Sequence, residues 1–175
     1  MNFRIFILIM NAKIGIGIGF GVILVFLLSA CLKKSEFPLE PIIAFKEFTA
    51  SGDSGHLVIT FTDGDGDIGL ADGDTNPPYD LADGDYYNLL LDYYELQDGT
   101  WVNITDSLPL PYYYRVPVIT PSGQNKALEG EIAVDLVPTY YNPFSNYDTI
   151  KFSVQLLDRA LNRSNIVETD EIIVP

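Results

Sequence analysis

The chain has 175 residues, 24 of them acidic and 10 basic, for a formal charge of −14. Such a surface repels phosphate backbones, which excludes nucleic acid on charge grounds and favours divalent cations or basic partners. A single cysteine allows no internal disulfide, so folding rests on a packed core.

Residues 1–30 carry Arg4 and Lys13, no acidic residue, and an uncharged run over 14–28. A run of that length suits a signal peptide's apolar region and is short for a bilayer span. It leads into Leu28-Ser29-Ala30-Cys31, which resembles the lipobox of bacterial lipoproteins. The resemblance implies that the Cys31 thiol takes a diacylglycerol and that cleavage falls just before it. Residues 1–30 are then a lipoprotein signal peptide; an uncleaved anchor is the alternative. The stretch 2–9 is apolar for a signal's basic front end, and a start at Met10 would leave Lys13 as the positive charge. Whether Met1 or Met10 is the start is decided by mapping the precursor's N-terminal peptide. Beyond position 30 lie all 24 acidic residues but only 8 basic ones, a balance of −16.

Residues 31–41 comprise the lipid-bearing Cys31 and a short polar tether with Lys33, Lys34, Glu36, Pro38 and Pro41. Residues 42–175 then have the size of one domain. Leu57, Ile59 and Phe61 alternate with more polar residues, as do Ile132, Val134 and Leu136, and Ile150, Phe152, Val154 and Leu156. Period two of this kind predicts strands with one buried face. Residues 87–96 are apolar on both faces and read as a central strand. They run into Asp98-Gly99 before Trp101-Val102, a hairpin signal. Pro109, Pro111 and Pro117 around Tyr112–Tyr114 predict an edge strand or an extended crossing segment.

No stretch shows a sustained helical period, so the fold class expected is all-β, an antiparallel β-sandwich of seven or eight strands. At the C-terminus, residues 150–157, a turn carrying Asp158, Asn162, Ser164 and Asn165, and residues 166–174 read as strand, turn and strand. This hairpin resembles the last one of immunoglobulin-like and fibronectin type III-like bacterial modules.

Between Lys46 and Arg115 there is no basic residue apart from His56. The window holds the acidic loop 63–85, densest at Asp63-Gly64-Asp65-Gly66-Asp67-Ile68-Gly69. Leu70-Ala71-Asp72-Gly73-Asp74 follows and returns as Leu81-Ala82-Asp83-Gly84-Asp85. Unpaired carboxylates this close repel one another, and a hard cation with six to eight oxygen ligands removes that cost. Asp63, Asp65 and Asp67 resemble positions one, three and five of EF-hand-type calcium loops. Ile68 at position six and Asp74 at position twelve depart from that pattern, which implies a calcium-type loop on a β scaffold. The bland alternative is a solvated Asp-Gly turn. The expected ligands are Asp63, Asp65, Asp67, Asp72 and Asp74, then Asp83 and Asp85. An immunoglobulin-like sandwich would bring the final turn to the same end, so that Asp158 and Asn162 close the site.

The segment 61–70, with Tyr93-Tyr94-Glu95-Leu96 and Asp158-Arg159-Ala160-Leu161-Asn162, is similar to a group of Bacteroidota lipoproteins. These share a Phe-x-Asp-Gly-Asp-Gly-x-Ile/Val-Gly core and have no assigned activity. The likeness adds context only; the expected address, the cell envelope and there the outer membrane, follows from the lipobox and signal pattern of residues 1–31. In that phylum acidic residues just after the cysteine favour surface export; Leu32-Lys33-Lys34-Ser35-Glu36 fits this poorly and leaves the leaflet open. Asp106-Ser107-Leu108 and Asp148-Thr149-Ile150 resemble the phylum's O-glycosylation tripeptide, which an aspartate-rich chain also supplies by chance.

His56, the sole histidine, has no nucleophile motif beside it and reads as a surface residue. The eleven tyrosines read first as strand packing and second as a glycan-stacking platform. The leading functional expectation is a non-enzymatic, lipid-anchored envelope protein, a calcium-stabilised binding or structural module with a protein or glycan partner. A carbohydrate-binding accessory lipoprotein using exposed tyrosines is second, and a metal-dependent hydrolase third.

Overall fold

The computed structural model describes residues 37–119 and 126–175 apart from Asp83. The signal peptide, Cys31, the start of the tether and Asp83 therefore lie outside the described residues. What is described is almost entirely antiparallel β-structure, with one 3-10 turn at Thr105–Ser107.

Strand β1 (Ile42–Ser51) turns at Gly52 into β2 (Ser54–Asp63), and β6 (Leu128–Leu136) completes a three-stranded sheet in the order β1-β2-β6. Registers such as Phe61 opposite both Ile43 and Gly130 place Ile43, Leu57, Ile59, Phe61, Ile132, Val134 and Leu136 in the core. The second sheet centres on β3 (Leu89–Gln97), paired on one edge with β7 (Thr149–Leu156). On its other edge it pairs with β4 (Thr100–Asn103) and then with β5 (Tyr112–Tyr114). The proline-flanked tyrosines thus form a short strand on Leu89–Leu91. The β3–β4 loop is Asp98-Gly99, both with positive φ (51° and 80°), the backbone of a type I′ hairpin turn.

Short strands β8 (Val167–Glu168) and β9 (Ile172–Ile173) both pair with β7. One strand over 166–174 is expected from the sequence, and two short ones are found. Thr169 is the reason: its buried hydroxyl accepts the Phe152 N–H at 3.1 Å while its own N–H donates to the Phe152 carbonyl, so a side chain interrupts the ladder. The described residues hold nine strands rather than seven or eight. One of the unexpected strands is β1, whose alternation is broken by a register shift between Phe45 and Glu47.

Leu89, Leu91, Tyr93, Ile150, Phe152, Val154 and Leu156 meet the inner residues of the first sheet in a single hydrophobic cluster. Aromatic edges lock it: Phe152 stands against Tyr93 at 5.5 Å and Tyr112 at 5.3 Å, and Phe48 against Tyr140 at 5.4 Å.

Candidate metal centre

The site follows from strand parity. In β2 the inward row is Leu57, Ile59, Phe61 and then Asp63; in β7 it is Ile150, Phe152, Val154, Leu156 and then, one step past the strand, Asp158. Each sheet's buried row thus ends in an aspartate where the period would place another apolar residue. β2 and β7 belong to different sheets but finish at the same end, and both carboxylates are 0% exposed.

The chain after β2 folds back over them. The Asp67 N–H donates to Asp63 Oδ2 at 3.0 Å, and Gly66, with φ +69°, makes the reversal that a side chain would strain. Gly64 is crowded instead: a Cβ there would run into the Phe37 and Pro38 carbonyls. Ile68 bridges Asp158 in antiparallel fashion, and the Arg159 N–H donates to the Asp67 carbonyl at 3.1 Å. The Asp158 carboxylate accepts the backbone N–H and the side-chain amide of Asn162, each at 2.8 Å.

Asp63, Asp67 and Asp158 each offer an oxygen within 4.8 Å of the others. Asp63 Oδ1, Asp65 Oδ1 and Asp67 Oδ1 are buried with no hydrogen-bond partner. Burial pushes the Asp67 carboxyl up to about 6, helped by the charges of Asp158, Asp65 and Asp63. It raises Asp63 and Asp158 as well, against the hydrogen bonds from the Asp67 backbone and Asn162 respectively, and the Asp65 charge adds to both rises. The close oxygens of Asp63, Asp67 and Asp158 are of the kind a hard cation takes, and such an ion would also satisfy unpartnered oxygens of Asp63 and Asp67.

Among the described residues, the other expected ligands Asp72, Asp74 and Asp85 are outside this cluster. Asp72 is exposed. Asp74 takes both guanidinium nitrogens of Arg159, at 2.6 and 3.0 Å, along with the Ala71 N–H, and this holds its carboxyl below the usual range. Asp85 lies 3.6 Å from Arg163. Asn162 supports Asp158 as a donor. The structure therefore brings Asp158 together with Asp63 and Asp67, with the Asp65 charge acting on all three, while Asp74 anchors the next stretch of loop to the residue following Asp158. Sequence reasoning ranked Asp158 low; the signal that would have raised it is its place in the inward row of β7.

All eleven tyrosines are buried or half-buried, with Tyr93 and Tyr140 inside the core. His56 is exposed and lies 2.7 Å from Asp135 on the neighbouring strand β6. No family model matches the chain, and no match is found among curated proteins or among solved structures.

Proposed function

We propose that this chain is a non-enzymatic, lipid-anchored cell-envelope module whose immunoglobulin-like or fibronectin type III-like sandwich is pinned at one end by a calcium ion. The carrying observation is the orphaned oxygen of Asp63, fully buried beside Asp67 and Asp158 and next to the orphaned oxygen of Asp65. An unpaired buried charge is costly, and a cation held by Asp63, Asp65, Asp67 and Asp158 would offset that cost. Two of the four ligands being inaccessible supports a structural ion over a catalytic one, since a catalytic metal keeps an open position for its substrate. The ion would join β2 of one sheet to the chain leaving β7 of the other.

The finer fold reading is supported by strand order: β1-β2-β6 against β4-β3-β7-β8 follows the A-B-E and C′-C-F-G sheets of such modules. The envelope address is supported by the lipobox and signal pattern.

Calcium titration tests the ion. At a hundredfold excess over Kd a ligand specific to the folded state adds about 2.7 kcal/mol, which raises Tm by several degrees. Asp65→Ala combined with Asp67→Ala is expected to abolish the rise, and identical wild-type melts in calcium and in chelator would overturn the site. Membrane fractionation of Cys31→Ser tests the anchor, with release from the membrane as the expected result.

A further inference from the structure

An apolar groove of about 340 Å3 lies between residues 108–114, whose strand β5 pairs with Leu89–Leu91, and residues 137–144, which follow β6 at the Gly55 end of β2. Its floor is fixed, because Tyr112 packs on Tyr93 and Phe152 of the core. Four prolines stiffen its walls. Its rim exposes Leu110 at 79%, Val137 at 62% and Phe144 at 87%, a cluster of large apolar side chains that a lone soluble domain has reason to bury. Three carboxylates stand beside two of its lining tyrosines: Asp92 accepts the Tyr113 hydroxyl, Asp53 accepts the Tyr141 hydroxyl, and the Asp106 charge acts on Tyr113. No lysine or arginine lines it.

We propose that this groove is a docking site for an extended, proline- or aliphatic-rich segment of a partner protein flanked by lysine or arginine. It deepens the binding-module reading and stands on the groove alone, independent of the metal. Proline-rich segments seat their rigid apolar faces on grooves lined by aromatic rings, and a cationic flank would meet the carboxylates at the rim. A second copy is disfavoured by the acidic charge that both copies would carry. A glycan would find the Tyr113 and Tyr141 hydroxyls already donating to carboxylates and Thr139 Oγ1 donating to the Tyr141 carbonyl, which leaves the apolar faces as the larger part of the groove.

Fluorescence anisotropy on the whole mature protein, in calcium and again in chelator, tests this with three labelled probes. These are the peptide Arg-Pro-Pro-Leu-Pro-Pro-Lys, the same core flanked by glutamates, and cellohexaose. The cationic peptide is expected to bind, to weaken as salt is added, and to lose about fivefold or more in affinity in Leu110→Ser/Phe144→Ser. Both substitutions are at exposed positions, and an unchanged Tm verifies folding; Val137→Ser serves if the double variant unfolds. Equal binding of the glutamate-flanked peptide, binding that survives the substitutions, tighter binding of cellohexaose, or no binding of the cationic peptide would each overturn the proposal. Peptide binding that persists in chelator while calcium leaves the melt unchanged would refute the metal site and leave the groove standing.

Discussion

Replacing Asp67 by asparagine is expected to change the stability of the domain in opposite directions with and without calcium. In the metal-free fold the Asp67 carboxyl is held at about 6 against an ordinary 3.8, largely by burial and then by the charges of Asp158, Asp65 and Asp63. Each unit of such a shift corresponds to about 1.4 kcal/mol, so keeping the carboxylate ionised at neutral pH costs the fold at most about 3 kcal/mol. The side chain is half-buried and solvent screens part of that, leaving about 1–2 kcal/mol. Asp67→Asn keeps the shape and removes the charge, so in chelator its Tm should exceed that of wild type by about 3–8 °C. In saturating calcium the same variant lacks a charged ligand and should melt below wild type. Paired melts by circular dichroism at neutral pH, with calcium and with chelator, read both signs. A shift of the same sign and size in the two conditions would refute the reasoning, because it would assign Asp67 an ordinary place in a turn.

Other outcomes follow from the same geometry. The raised Asp67 carboxyl binds its proton more tightly in the folded chain than in the unfolded one, so its contribution to stability is full below about pH 3.8 and is lost as pH rises through about 6, and the raised Asp63 and Asp158 carboxyls act in the same direction. Melts in chelator should therefore fall relative to melts in calcium across that window, and a constant difference would count against the cluster. Arg159→Ala breaks the two-pronged pair with Asp74 and should lower Tm while leaving the gain on adding calcium intact; loss of that gain would make Asp74 part of the metal centre. Leu91→Ala, at a fully buried core position, should cost about 2–5 kcal/mol by urea unfolding irrespective of calcium.

Where alternation was clean, the sequence was a sound guide: the inward rows of β2, β6 and β7 are the predicted ones, and Asp98-Gly99 makes the turn its residue types imply. It was a poor guide where one residue alters the register. The shift at Phe45/Glu47 hides β1, and the Thr169 hydroxyl divides the last arm. The acidic loop was legible as a centre of charge but not as a list of partners. Asp63, Asp65 and Asp67 stay close because they share one local turn. Asp158 joins them across 95 residues of chain through the stacking of two sheets, and Asp74 leaves them because Arg159 competes for it. A long-range ion pair leaves no periodic trace, so local spacing could not separate Asp74 from its neighbours.

The contact between Gly64 and the Phe37 and Pro38 carbonyls has a mechanical side. Under the proposed lipid anchor at Cys31, any pull would enter the described residues at Phe37, which lies on the acidic turn. Tension entering at Phe37 acts first on the turn carrying Asp63, Asp65 and Asp67. It then loads β1 along its length, where the Asn165 side chain grips both the N–H and the carbonyl of Ile43 at 2.9 Å. A divalent ion in that turn would sit in the path of the force, so the rupture load in single-molecule stretching should rise with calcium.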